Sequence, residues 1–293
     1  MDNERCATIK ERDIRSPKFW KELVQSSMVH KGLSRSEKGS CWDQAAATYD
    51  DLEACSDYQF QVKTVLETLK ERGVLHKKAR VIDIACGTGI YALRMAPLVE
   101  QVICLDISKA MLSRLQEKAE KADIRNIKTI LADWRKFETD EKFDLVFVSM
   151  TPLLRSMENV DRFLDLSKRY VVFISWAGIR QNELVNRLSK EILGKDPDTT
   201  KMDIHFLFNY LYALGLAPDL RFFRGCWERT RDADRHAEAI IWQLEMHKEL
   251  SDDEKERIRN VVAGLAHNGK VTSKTKVRIA FMFIDKEADA FTC

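Results

Sequence analysis

Fourteen residues, Arg80 to Leu93, constrain this chain more than any other stretch: Arg-Val-Ile-Asp-Ile-Ala-Cys-Gly-Thr-Gly-Ile-Tyr-Ala-Leu. Val81, Ile82 and Ile84 form a short β-branched run, the pattern of a strand covered on both faces of a parallel sheet. The run stops at a glycine turn, and Tyr91-Ala-Leu-Arg-Met-Ala follows as a helix former. The unit is therefore strand, tight turn, helix. Gly87 and Gly89 permit positive φ and let a ligand approach backbone that a Cβ would shield. The helix behind them turns free N–H groups toward that ligand. A turn of this kind is a nucleotide-type site at the carboxyl edge of a sheet.

Two cofactor classes use such a turn. Gly87-x-Gly89-x-x-Ala92 satisfies the dinucleotide fingerprint, with Asp106, at the end of a second apolar run, placed to hold a ribose hydroxyl. Asp83 separates the two classes. A carboxylate in the last turn of an apolar strand is costly to bury unless a cation or a donor meets it. A dinucleotide carries no cation there, whereas S-adenosylmethionine carries an α-ammonium.

Asp83-Ile-Ala-Cys-Gly-Thr-Gly, Leu105-Asp106-Ile-Ser-x-x-Met111, Ala132-Asp133-Trp134 and Phe143-Asp144-Leu-Val resemble, in order and spacing, the successive motifs of class I S-adenosylmethionine-dependent methyltransferases. The resemblance covers roughly Trp42 to Ala177. It implies a doubly wound α/β fold with a seven-stranded, mostly parallel Rossmann-like sheet, and S-adenosyl-L-methionine as cofactor. Residue by residue it implies that Asp83 faces the methionyl ammonium while the backbone from Ala85 through Gly87 to Gly89 passes beneath the methionine and ribose. Asp106 would accept the ribose hydroxyls, Ile107 would lie on the adenine, Asp133 would take its exocyclic amine, and Trp134 would stand beside the ring. Ser149, ending the fourth strand, is counted on the cofactor side. Asp106 and Asp133 also suit plain capping duty. Ala85 stands where the family has its first glycine, which tightens the loop.

Upstream, Trp42-Asp-x-x-Ala-x-x-Tyr49-Asp is similar to the segment preceding the core in small-molecule methyltransferases, where aromatic residues close over the cofactor; ordinary packing is the competing reading. Ser149-Met150-Thr151-Pro152 is not the Asn-Pro-Pro-Tyr box used on amino groups of bases or glutamine. The reading is thus methyl transfer to a small-molecule acceptor by in-line displacement, with an RNA or protein methyltransferase and an NAD(P)-dependent oxidoreductase as alternatives. Trp176, His205, Tyr210, Arg224 and Trp227 are candidates for the acceptor side, and no catalytic residue is assigned. His205 sits in an aromatic-rich helix that reads first as core.

Composition narrows the setting. The 293 residues carry 48 basic and 46 acidic side chains, net +2, so no field draws a polyanion and nucleic acid is disfavoured as a partner. Seven cysteines are scattered without a Cys-x-x-Cys pair, which argues against a metal site or disulfide framework and for a reducing, cytoplasmic setting. Cys86 and Cys104 read as small core hydrophobes. The start, Met-Asp-Asn-Glu-Arg, has no apolar run and is not expected to be a signal peptide, and no stretch is long enough for a membrane span. A homodimer is left open.

Strands are expected at 80–85, 101–106, 127–131, 143–149, 170–176, 220–228 and 276–284, with helices beginning near 89, 108 and 159. Residues 1–56 read as an N-terminal helical appendage covering the cofactor, with a helix at 16–28. Residues 57–293 read as the methyltransferase domain. A helix at 57–72 should end at Gly73, and helices at 181–193 and 203–214 flank a Gly-Lys-Asp-Pro-Asp turn. The insert at about 232–268 separates the last two strands with amphipathic helices, the second opened by a Ser251–Glu254 capping box. Its aliphatic stripes point to packing on the sheet or a second subunit more than to a substrate lid.

Overall fold

The computed structural model describes residues 14–28, 39–194 and 204–288. Helix α1 spans Pro17–Met28 and α2 Gly39–Tyr49, continued by a 3-10 turn at Asp50–Ala54; α3 follows at Ser56–Glu71. The core opens with β1 (Arg80–Ile84), a one-turn α4 (Ala92–Met95), β2 (Gln101–Asp106), α5 (Lys109–Lys121), β3 (Ile127–Leu131), β4 (Phe143–Ser149), α6 (Met157–Leu166) and β5 (Ser167–Gln181). Then come α7 (Glu183–Leu193), α8 (Ile204–Ala213), β6 (Asp219–Asp232), α9 (Ala233–Glu245), α10 (Asp252–Ala263) and β7 (Lys270–Asp285).

The seven strands form one sheet in the order β3-β2-β1-β4-β5-β7-β6. β1 pairs in parallel with β2 and β4, β2 with β3 and β4 with β5, while β7 runs antiparallel to both β5 and β6. The doubly wound sheet and its terminal antiparallel pair are as the sequence implied. Val81, Ile82 and Ile84 are fully buried because β1 lies in the middle of the sheet. One face packs on α3 and α4 through Val65, Leu69, Met95 and Phe147. The other packs on α6, α8 and α1 through Phe163, Tyr210, Leu207 and Val24.

Local chemistry sets the element ends. Gly73 closes α3 at φ 70, the left-handed C′ position a Cβ disfavours. The helix expected near 89 is shorter than its pattern suggested. Its first turn forms, with the Leu93 N–H donating to the Gly89 carbonyl at 2.9 Å, but Pro97 lacks the N–H that would continue the ladder, and Ala96–Leu98 is a 3-10 turn. Ser108, Ser156 and Asn182 cap α5, α6 and α7 with their side chains. The Gly194-to-Asp198 turn lies, after Gly194, outside the described residues.

The last three strands are longer than their hydrophobic patterns. β4 stops at Ser149 opposite Ile174, yet β5 runs on to Gln181, passing an irregularity between Trp176 and Ile179 where Gly178 takes φ 80. β7 and β6 continue with it, so three strands overhang the carboxyl edge of the parallel sheet. The overhang is polar on one face and was invisible to an apolar-run criterion. It carries the insert: α9 and α10 pack with α7 through Leu188, Ile240, Leu244, Ile258 and Val262, a core separate from the two sheet faces. The capping box forms as expected, Ser251 and Glu254 each accepting the other's backbone N–H. Trp242 of α9 meets Trp42 of α2 edge-on at 5.5 Å and donates its Nε1–H to the Cys41 carbonyl at 2.8 Å. The insert is thereby fastened to the helix that leads to Tyr49. Among the described residues no helix is long and apolar enough to cross a membrane.

Candidate active site

The carboxyl ends of β1, β2 and β4 meet at a cleft of about 1150 Å³ including its open mouth, bordered by Tyr49, Ala85, Gly87, Asp106, Trp134 and Met150 among others. Strong backbone constraint gathers here. Ala85, Gly87 and Gly89 all take positive φ, 56, 54 and 79. Ala85 therefore adopts a left-handed conformation that costs an L-residue roughly 1–2 kcal/mol. Met150, ending β4 on the opposite wall, is also at positive φ, 53. A Cβ on Gly87 would sit 3.3 Å from the Tyr49 ring, and one on Gly89 would reach 2.6 Å from a Leu115 methyl. The two glycines thus do different work: Gly87 admits the covering aromatic, and Gly89 lets α5 pack close behind the loop.

Asp106 holds the loop together. Its Oδ2 accepts the Gly87 N–H and its Oδ1 the Ser108 N–H, both at 2.8 Å. The helix cap itself falls to Ser108, so Asp106 fixes the loop while presenting a face to the cleft. Burial raises its carboxyl pKa against the opposing pull of those N–H groups. Asp83 is only 3 % exposed and, among the described residues, has no hydrogen-bond or ion-pair partner. Burial, then the negative charge of Asp106, push its carboxyl well above the ordinary value of 3.8. A carboxylate in that state is completed by a cation, and the arrangement fits the α-ammonium of S-adenosylmethionine.

The sequence candidates divide as follows. Tyr49, Ala85, Gly87, Asp106, Ile107, Asp133 and Trp134 border the cleft, whereas Asp83, Gly89 and Ser149, on the same strand ends and loop, are not among its bordering residues. The Asp133 carboxylate is clamped by the Arg135 guanidinium at 2.7 and 3.0 Å and caps the turn at Trp134–Lys136, and Arg135 holds its pKa down. The capping duty foreseen for Asp133 is what the structure displays. Trp134 is 3 % exposed, packs 4.8 Å from Phe163 beneath the Arg162 guanidinium, and its buried Nε1–H has no acceptor among the described residues. Of the acceptor-side candidates, His205 and Arg224 are exposed, and Tyr210 is core, its hydroxyl donating to Asp161 at 2.5 Å. Trp176 and Trp227 meet at 5.4 Å on the overhang.

Tyr49 roofs the loop. Burial and the charge of Asp106 push its phenol up to about 12, with Arg229 pulling the other way; 36 % of the residue remains open, so water weakens the shift. Asp50 clamps the roof down: it accepts from Thr88 in the loop, from Lys118 at 3.0 Å and, more weakly, from Arg114 at 3.4 Å, both on α5. Asp50 was passed over in the sequence because an acid after an aromatic residue reads as a solvated charge. Also missed were Arg180 and Arg229. Their signal was faint: Arg229 and Arg231 alternate on one strand, hence share one face.

The sheet order, the glycine turn and the two acids together define a Rossmann-like α/β protein of nucleotide-cofactor type. Residues 81–171 match the family described as a methyltransferase domain. Over 96 residues the chain is 33% identical to (S)-tetrahydroprotoberberine N-methyltransferase of Eschscholzia californica, covering 32% of this chain and 27% of that one. It is 25% identical over 183 residues to an uncharacterized protein of Haemophilus influenzae, covering 61% and 66%. The match therefore spans from about a quarter to two thirds of these relatives' lengths. The solved structure of YcgJ from Bacillus subtilis superposes with a TM-score of 0.50 at 16% identity over 78% of this chain and 98% of its own, a likeness of fold. Residues 81–171 are thus a methyltransferase domain, of the kind that takes S-adenosyl-L-methionine as cofactor.

Proposed function

We propose that the protein transfers a methyl group to a small-molecule acceptor in the cleft below Tyr49. The observation that carries this reading is Asp83, a buried carboxylate whose side chain has no partner among the described residues, set directly behind a positive-φ loop that Asp106 holds in shape. When bound, S-adenosylmethionine supplies a methyl on a positive sulfonium, which passes in line to an acceptor lone pair while the C–S electron pair stays on sulfur. The residues present would do the rest by position and exclusion of water. Asp83 would meet the ammonium, Asp106 would turn its free lone pairs to the ribose, and Ile107 and Trp134 would flank the adenine. Tyr49 and Trp42 would close the top, held by Asp50 and by Trp242 of the insert. That fastening supports reading residues 1–56 as a cofactor cover and the insert as its brace.

A small acceptor is supported by the similarity to the tetrahydroprotoberberine enzyme, which is named for a small-molecule substrate. The near-neutral charge and free buried thiols support a cytoplasmic setting and give no footing for a nucleic acid. The test is calorimetric. S-adenosylhomocysteine should bind and NADPH should not, and incubation with pooled metabolites should release S-adenosylhomocysteine. Binding of NADPH alone would overturn the reading.

A further inference from the structure

The overhang of β5, β6 and β7 carries positive charge that the fold does not neutralise. Strand alternation and register put Trp176, Arg180, Trp227 and Arg229 on one face: Arg180 pairs with Val277, which pairs with Gly225, while Trp227 and Arg229 oppose Thr275 and Ser273. Arg180 lies over the Trp176 ring, its Cζ 4.7 Å from the centroid. Both guanidiniums are half-buried, and the Arg229 Nε–H is buried with no acceptor. Neither guanidinium has a hydrogen bond or ion pair among the described residues. The nearby acids are engaged elsewhere: Asp51 is taken by Arg231 at 2.6 Å and Arg235 at 3.7 Å, and Asp57 accepts the Cys226 N–H at 2.7 Å.

Half-burying two cations on one sheet face without a bonded anion costs free energy, and such groups are ordinarily paired. Burial lowers both pKa values to about 10, and each is lowered further by another arginine, Arg155 for Arg180, and Arg231 with Arg180 for Arg229, with Asp51 opposing the shift of Arg229 to a lesser extent. Arg155 borders the cleft, and Tyr49, which roofs it, feels the charge of Arg229. The overhang springs from the same carboxyl edge at which the cleft opens: Met150 on the cleft wall donates its N–H to the Ile174 carbonyl at 2.8 Å, two residues before Trp176.

We propose that Arg180 and Arg229 bind the anionic group, a carboxylate or phosphate, of the methyl acceptor, with the Trp176 ring as an apolar floor beside it. This rests on the reading of the cleft as a methyl-transfer site. A guanidinium offers the planar fork that matches either anion, and desolvation makes each such contact stronger than on a surface. The other source of a carboxylate is the cofactor's own methionyl end, and the experiment separates the two.

Phenylacetate, phenyl phosphate and neutral phenylacetamide are titrated into the full chain with and without S-adenosylhomocysteine, following tryptophan fluorescence and heat. The expected result is that phenylacetate or phenyl phosphate binds at least tenfold more tightly than the amide, a comparison that needs no variant. The Arg180→Met, Arg229→Met double variant should lose the anion at least tenfold, the effect of removing charge-assisted hydrogen bonds, and keep S-adenosylhomocysteine within threefold. Equal binding of anions and amide, or anion binding unchanged in the variant, overturns the proposal. A variant that instead loses S-adenosylhomocysteine assigns the arginines to the cofactor and overturns it as well. Failure of S-adenosylhomocysteine to bind the unaltered chain refutes the cofactor reading, and the titrations without it still decide whether the arginines hold an anion.

Discussion

Replacing Asp83 by Asn should move stability and cofactor affinity in opposite directions. In the ligand-free protein Asp83 is only 3 % exposed, meets no cation among the described residues, and shares its surroundings with the charge of Asp106. An unsatisfied buried polar group costs about 1–3 kcal/mol, and more when charged. Asparagine keeps the shape and deletes the charge, so Asp83→Asn should stabilise the free protein by roughly 1–3 kcal/mol, or about 2–8 °C in Tm. The sign with pH follows from the raised pKa. The folded state holds the Asp83 proton more tightly than the unfolded chain, so this group's contribution is undiminished below the ordinary value of 3.8 and declines as pH rises above it. The stability gap between variant and parent should therefore widen upward from about pH 4. With ligand, the order reverses. Losing one charge-assisted contact to the ammonium should weaken S-adenosylhomocysteine by about 1.5–3 kcal/mol, a factor of roughly 10 to 150. Thermal melts across pH 4–8 and calorimetry measure both quantities on one preparation. A variant that melts lower than the parent and binds S-adenosylhomocysteine equally well would show that Asp83 is a structural carboxylate with a partner of its own, and the argument built on its isolation would collapse.

Asp106→Ala should cost S-adenosylhomocysteine about 1.5–3 kcal/mol and also release the Gly87 and Ser108 N–H groups, so amide exchange at those two positions should quicken. Ala85→Gly should raise stability by up to about 1 kcal/mol in chemical denaturation, because relief of the positive φ outweighs the added chain entropy; a loss would mean that the methyl packs usefully. Buried His236, its Nδ1 without a partner among the described residues, is held down to about 4, first by burial and then by Arg231 and Arg229. Unfolding lets it take a proton below its ordinary 6.5, so stability should fall between pH 6.5 and 4 by an amount on the order of 3 kcal/mol, and His236→Phe should flatten that slope relative to the parent.

The sequence by itself determined the sheet, because its middle strands are covered on both faces and can be built only from uninterrupted β-branched runs such as Val81 to Ile84. It determined the glycine turn for the same kind of local reason: positive φ and close approach leave a narrow choice of residues. Asp83 and Asp106 were legible because a carboxylate in an apolar strand end has few reasons to exist. The surroundings of Asp133 and Gly89 were not, since capping, packing and ligand contact call for the same residue types, and the Arg135 clamp and the close Leu115 methyl appear only in the tertiary structure. Tertiary structure alone decided the overhang and its arginines. Arg180 and Arg229 are 49 positions apart in the sequence and share a face only through β7, which pairs with both of their strands. Their isolation depends on Asp51 being held by Arg231, a contact across 180 positions. Charges are commonplace in any sequence, and which of them lack a counterion is a property of distances that pairing between remote strands creates.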